Sequence, residues 1–120
     1  MKKFKLILSD EQAKIVSKAC EFFARIKIGQ FDEIVFHTLD HKIECKEYFE
    51  RKEMATKYLL EARKSIYPEL YGIGHSYGIG KFEDADKAFD VHQVIKHAMG
   101  DEREPFSYYD LPECELIKDN

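Results

Sequence analysis

A chain of 120 residues with net charge −4, 44% hydrophobic and 35% charged, suits one domain around a single core and is too short for two independent ones. Its acidic balance, 19 Lys plus Arg against 23 Asp plus Glu, excludes a general nucleic-acid binder, whose surface carries a basic excess to collect phosphates. No apolar run approaches the roughly 20 residues of a membrane-spanning helix, and the first dozen residues have neither a long apolar stretch nor a small-residue cleavage site, so a cytoplasmic protein with no membrane association is expected.

The first segment alternates, with Phe4, Leu6 and Leu8 on one side and Lys3, Lys5 and Ile7 on the other, which reads as a short half-buried strand. Ser9 followed by Gln12 is a capping box. The apolar set Ala13, Val16, Ala19, Cys20, Phe23 and Ile26 then predicts a helix ending at Gly29. A shorter helix is expected from about Gln30 or Asp32, with Phe31, Ile34, Val35 and Leu39 inward and a break near Asp40. The spacing predicts a long helix over residues 42–66, with Cys45, Tyr48, Phe49, Ala55, Leu59, Ala62 and Ile66 on one stripe and Pro68 as its stop. A last helix over residues 84–99 should start at Asp84 as N-cap and end before Gly100. Its apolar residues Ala88, Phe89, Val91, Val94, Ile95, Ala98 and Met99 cover more than half the circumference, as in a central helix or one shared with a second subunit. The apolar stretches of the tail, residues 105–118, could pair with the N-terminal strand. The expected fold is therefore mainly α (α+β): one domain, residues 1–120, a bundle of about four helices with a small terminal β-element. The cysteines Cys20, Cys45 and Cys114 are an odd, widely spaced set without C-x-x-C, in keeping with reduced thiols.

Residues 67–81, YPELYGIGHSYGIGK, concentrate glycine, tyrosine and histidine and run into the last helix. A glycine-rich loop feeding a helix N-terminus can aim free backbone N–H groups at an anion. Gly78 and Gly80 would allow close backbone approach, Tyr77 and Phe82 would stack on a base, and Lys81 would meet negative charge. In the last helix, His92 and Lys96 sit one turn apart inside the apolar arc. Either they face a pocket with His75 and Ser76, or the imidazole is satisfied internally and the lysine reaches water along its stem. His97 falls with Asp86, Asp90 and Gln93 on the opposite, solvated face. On the long helix, Lys52 and Arg63 interrupt an apolar stripe, placed to meet a phosphate or to cover a subunit seam.

Two further constellations carry less. His37 and His41, with Asp40, Glu44 and Cys45, have an H-x-x-x-H spacing but no H-E-x-x-H, and no metal or cofactor is assigned. Glu50 with Glu53, and Glu83 with Asp86 and Asp90, could hold Mg²⁺ against a nucleotide's phosphates, and this spacing is loosely similar to the metal motif of all-α NTP pyrophosphatases of the MazG type.

Two blocks, residues 8–34 (LSDEQAKIVSKACEFFARIKIGQFDEI) and residues 76–99 (SYGIGKFEDADKAFDVHQVIKHAM), together resemble small proteins encoded by bacteriophages and prophages. In these a Gly-Ile-Gly loop, here Gly78, Ile79 and Gly80, leads into a helix ending in Gln-Val-Ile, a basic residue and His, here Gln93 to His97. Where such proteins carry arginine and tyrosine, this chain has Lys96 and Phe89. The resemblance implies a phage accessory protein: a homo-oligomer that sequesters a small anionic, nucleotide-like signal of host defence without turnover. A protein–protein inhibitor of a host defence factor is the alternative. The ligand contacts then expected are Lys52, Arg63, Tyr77, Gly78, Gly80, Lys81, Phe82, His92 and Lys96.

Overall fold

The computed structural model describes residues 1–118 and is helical throughout its ordered elements. Ser9 opens α1 (Asp10–Lys27): its hydroxyl accepts the Gln12 N–H at 3.2 Å, and the Gln12 side chain accepts the Ser9 N–H at 3.0 Å. Gly29, at φ +101°, turns the chain out of that helix into α2 (Glu33–Thr38). Glu44 caps α3 (Cys45–Ile66) by accepting the Lys46 and Glu47 amides on its carboxylate. The residue before Pro68 cannot continue a helix comfortably, and α3 stops there. After the glycine-rich loop, α4 (Glu83–Ala98) runs until Gly100 takes φ +110°.

α1 and α4 form the body of the molecule. Ser17 lies against His92, and Lys27 sits 3.7 Å from Asp84 at the other end, so the two helices are antiparallel. Val94, Ile95 and Ala85 of α4 and Ala24 of α1 are buried in the core, together with Phe31, Val35 and Leu70. His92 joins the pair by polar contacts: Nδ1 is 2.8 Å from Ser17 Oγ, and Nε2 is 3.2 Å from a Glu21 carboxylate oxygen. The imidazole is thus satisfied between helices rather than presented to a pocket.

α3 is held mainly by its C-terminal end. Arg63 is 2% exposed, and its guanidinium donates to the carbonyls of Gly29 (3.0 Å), His75 (2.9 Å) and Gly72. Beside it, the Tyr67 hydroxyl donates to Lys27 O at 2.7 Å, and the Tyr77 amide to Ile28 O at 2.8 Å. Three successive carbonyls at the negative end of α1 therefore receive three donors from the end of α3 and the loop that follows. Gly29 admits no side chain here, since a Cβ would stand 2.5 Å from Leu70 Cδ1.

The helices lie close to where periodicity and capping place them, but three features differ. No strand forms among the described residues: residues 1–8 and 101–118 are irregular. The first segment has no partner, and the tail spends its backbone groups on α4. Phe82, not Asp84, stands at the N-cap of α4, and Asp84 instead accepts the Ala85 amide. The stripe expected on α3 is incompletely covered: Cys45, Phe49, Ala62 and Ile66 are exposed, and outside the stripe so are Met54 and Tyr58. The radius of gyration, 17.0 Å, exceeds the roughly 14 Å of a compact chain of this length. No described helix is long and apolar enough to cross a membrane.

Arg63→Met removes, at nearly constant volume, the donors to the buried Gly29 carbonyl and to the partly covered loop carbonyls of Gly72 and His75. With each unsatisfied buried acceptor costing about 1–3 kcal/mol, urea unfolding should show a loss of about 3 kcal/mol. Arg63→Lys should recover only part of it, because one ammonium cannot reproduce the planar fork.

Candidate functional site

α4 presents Asp86, Phe89, Asp90 and Gln93 at i, i+3, i+4 and i+7, which places them on one face. Sequence periodicity assigns Asp86, Asp90 and Gln93 to solvent and only Phe89 to the apolar arc. Instead the tail returns along that face. The Gln93 amide side chain holds the Phe106 backbone through two hydrogen bonds, donating to its carbonyl at 2.9 Å and accepting its N–H at 3.0 Å. Ser107 donates its hydroxyl to Asp90 and accepts the Tyr109 amide, and Lys87 Nζ rests 5.4 Å from the Tyr109 ring centroid.

Between this tail and α4 lies a cavity of about 260 Å³ lined by Ile79, Asp86, Phe89, Asp90, Gln93, Phe106, Ser107 and Tyr108. A second space of about 170 Å³, between α1 and α4, shares Ile79, Asp86 and Phe89 and adds Arg25 and Ile28. Asp86 and Asp90 are both more than nine-tenths buried, and among the described residues neither carboxylate has a cationic side chain within ion-pair distance. Burial pushes the Asp90 carboxyl above its ordinary value; the Ser107 hydroxyl opposes that and the Asp86 charge adds to it. Asp86 accepts the Gly80 amide on both oxygens, at 3.0 and 3.3 Å.

That last contact decides the fate of the expected anion cradle. Gly80, at φ +97°, aims its N–H at an anion as the glycine spacing suggests, but the anion is the protein's own Asp86. The first turn of α4 carries Glu83, Asp84 and Asp86, so the positive end of its dipole already faces carboxylates. An incoming phosphate would meet repulsion there.

The nine residues expected to bind do not converge. Arg63 is enclosed, with Nε alone left without a partner among the buried side-chain atoms described. His92 is taken by Ser17 and Glu21, and Lys52, Lys96 and Gly78 are exposed. Tyr77 and Phe82 do come together, their ring centroids 5.5 Å apart, with Tyr67 completing the cluster. Lys81 lies over Tyr77 at 5.1 Å and Lys27 over Phe82 at 5.2 Å, which makes a small cationic-aromatic surface, not a pocket. His75 turns back to accept the Tyr71 amide on Nδ1 at 3.0 Å.

The other constellations also separate. His37 faces Glu33 at 3.4 Å and packs edge-on to Phe22, while His41 lies beside Tyr48. Glu50 and Glu53 are exposed on α3, which makes no contact with α4, so the four-carboxylate metal site is not assembled. Phe106, Ser107 and Tyr108 of the cavity were not legible as site residues. The signal available was a tail rich in aromatics, opposite a helix face carrying acceptors at helical spacing. No family model matches the chain, and neither does any curated protein or solved structure.

An acid whose carboxyl is held above its unfolded value binds its proton more tightly in the folded state, so its stabilising effect is full at low pH and is lost as pH rises through the folded value. Asp90 is such a group. Asp90→Asn keeps an acceptor for Ser107 without the charge and should raise the melting temperature at pH 7, with the gain shrinking toward zero as the pH is lowered below the ordinary carboxylate range.

Proposed function

We propose that the chain is a non-enzymatic accessory protein, of the phage type suggested by its sequence resemblance, that sequesters a small nucleotide-like ligand without turnover. The observation that carries this reading is the cavity between α4 and the tail, where aromatic and aliphatic walls flank two buried carboxylates that lack cations. The carboxyl oxygens of Asp86 and Asp90 offer hydrogen-bond acceptors to an incoming group. The group that enters must therefore be planar enough to lie against Phe89, Phe106 and Tyr108 and must bring N–H donors, as an amino-substituted nucleobase does. The base goes in first and its phosphate stays outside, toward Lys27 and Lys81, whose ammonium groups cap the neighbouring aromatic cluster. This reverses the orientation expected from the glycine loop.

Binding without chemistry is favoured by what surrounds the one hydroxyl–imidazole–carboxylate row, Ser17, His92 and Glu21. Ser17 is 2% exposed between two helices, where no substrate reaches its oxygen. The protein-inhibitor reading draws on a different observation, the exposed Phe49, Met54, Tyr58 and Ile66 of α3, since apolar side chains left in water often mark a docking surface.

Thermal-shift screening against purine and pyrimidine nucleotides and cyclic dinucleotides, with and without Mg²⁺, separates these. A ligand at one hundred times its Kd adds about 2.7 kcal/mol, worth roughly 10 °C in a chain this size, and should be recovered intact. Phe89→Ala and Tyr108→Ala should each abolish the shift, whereas Lys96→Ala should leave it. No shift with any nucleotide, together with retained capture of a host protein that Met54→Asp and Tyr58→Asp abolish, would favour the inhibitor.

A further inference from the structure

The two ends of the described chain are complementary strands that do not meet. In residues 3–8, Phe4, Leu6 and Leu8 share one parity, and Lys3 and Lys5 the other. In residues 113–117, Cys114 and Leu116 share one parity, and Glu113 and Glu115 the other. Antiparallel alignment with Lys5 opposite Glu115 sets Phe4 opposite Leu116 and Leu6 opposite Cys114, with Glu113 diagonal to Lys5. One face then joins Phe4, Leu6 and Leu8 to Leu116, Cys114 and Pro112, all apolar; the other pairs Lys5 with Glu115, sets Ile7 opposite Glu113 and Lys3 opposite Ile117, and leaves both lysines facing an acidic strand. Neither segment makes a backbone hydrogen bond among the described residues. Phe4 is 91% exposed and Leu116 75%, so the two do not cover each other within one chain.

The topology says why. The N-terminal arm leaves from the Ser9 cap, at the start of α1. The tail is pinned to α4 at Gln93, then Asp90, then beside Lys87. It therefore travels toward the N-terminus of α4, which in the antiparallel pair is the far end of α1. From the Ser9 cap to the level of Lys87 is 8 residues of α1 down to Ser17 and 5 of α4 beyond His92, which separates these exits by about 20 Å. A second copy related by a two-fold axis, and lying antiparallel to the first, brings the arm exit of each chain beside the tail exit of the other at both ends of the body.

We propose that the arm, residues 3–8, pairs antiparallel with residues 111–117 of a second copy, reciprocally, to give a closed two-fold dimer. The contact is isologous and needs no further chain for closure. A lone two-stranded ribbon is marginal in water, but the second ribbon forms within a complex already joined by the first, at high effective concentration. The proposal does not depend on the ligand reading.

Charge reversal with mixing tests it. Wild-type protein in light-scattering chromatography at tens of micromolar should run at twice the 14.1 kDa chain mass. A chain with Lys3→Glu and Lys5→Glu carries an acidic arm and an acidic tail, and a chain with Glu113→Lys and Glu115→Lys has both ends basic. Each alone should fall to the single-chain mass while circular dichroism shows its helices unchanged. Mixed in equal amounts, the two should recover the doubled mass, with native mass spectrometry showing one chain of each kind. Pairing of the arm with its own tail cannot be restored by mixing. A monomeric wild type, a dimer indifferent to either reversal, or a mixture that stays at the single-chain mass would each overturn the proposal.

Discussion

Three carbonyl groups in a row, those of Lys27, Ile28 and Gly29, fix how everything after α1 is placed. A helix leaves its last carbonyls without internal partners and concentrates partial negative charge on them. Here the Tyr67 hydroxyl, the Tyr77 amide and the Arg63 guanidinium arrive from one end of α3 and the loop beyond it. The guanidinium is buried without a carboxylate, so its charge is balanced by dipoles alone: the end of α1, and the loop carbonyls of Gly72 and His75. Burying an unpaired cation costs several kcal/mol unless its donors are satisfied, and that requirement coils the glycine-rich loop around Arg63. Because the loop is held at Tyr77, it delivers Gly80 to Asp86 of α4 and places Ile79 in the wall of both cavities.

Helix dipoles and bare amides attract anions here as they do elsewhere, but the attraction is spent inside the molecule. Gly80 binds Asp86, and the first turn of α4 is dressed with Glu83, Asp84 and Asp86. The chemical sense of the site is inverted by this. A loop that looks built to receive phosphate becomes one wall of a largely apolar cavity with two carboxylates at its edge, and the cations nearest the loop, Lys27 and Lys81, lie over aromatic rings. The Glu-Asp-Ala-Asp run at the helix start carries this information in plain sight. A helix that supplies its own N-terminal anions has little left to offer a ligand.

The helical skeleton is legible because its determinants are local. The Ser9–Gln12 box, Gly29, Pro68 and Gly100 each act within a turn of the boundary they set, and periodicity supplies the rest. The site is less legible because its determinants are distant in sequence. A basic residue in an apolar stripe is an ambiguous signal: Lys52 is exposed and Arg63 is buried, and that Arg63 meets backbone carbonyls rather than a phosphate depends on a loop whose path the stripe cannot specify. Likewise Asp86, Asp90 and Gln93 share a polar face, and a polar face reads as solvated until the Phe106–Tyr109 segment is found lying on it. The terminal strand fails for a third reason. Alternation describes a segment able to pair, while pairing needs a partner within reach, and the arm and the tail leave the body at opposite ends.

The cavity has one wall of helix and one wall of tail, and these differ in firmness. α4 is locked to α1 by apolar packing and by His92, whereas the tail is attached through a few neutral or singly charged hydrogen bonds from Gln93, Ser107 and their partners. At about 1 kcal/mol net for each such bond, the hydrogen bonds hold the docked tail by only a few kcal/mol, which makes it the softer of the two walls. Any ligand lying between Phe89 and Phe106 needs the tail docked, so its apparent Kd is the intrinsic value divided by the fraction of chains in which the tail is docked. The second copy proposed to grip residues 111–117 would act on the same equilibrium from the other side. Pairing in trans and occupancy of the cavity would then favour the same docked tail, and by linkage each would strengthen the other to the same degree.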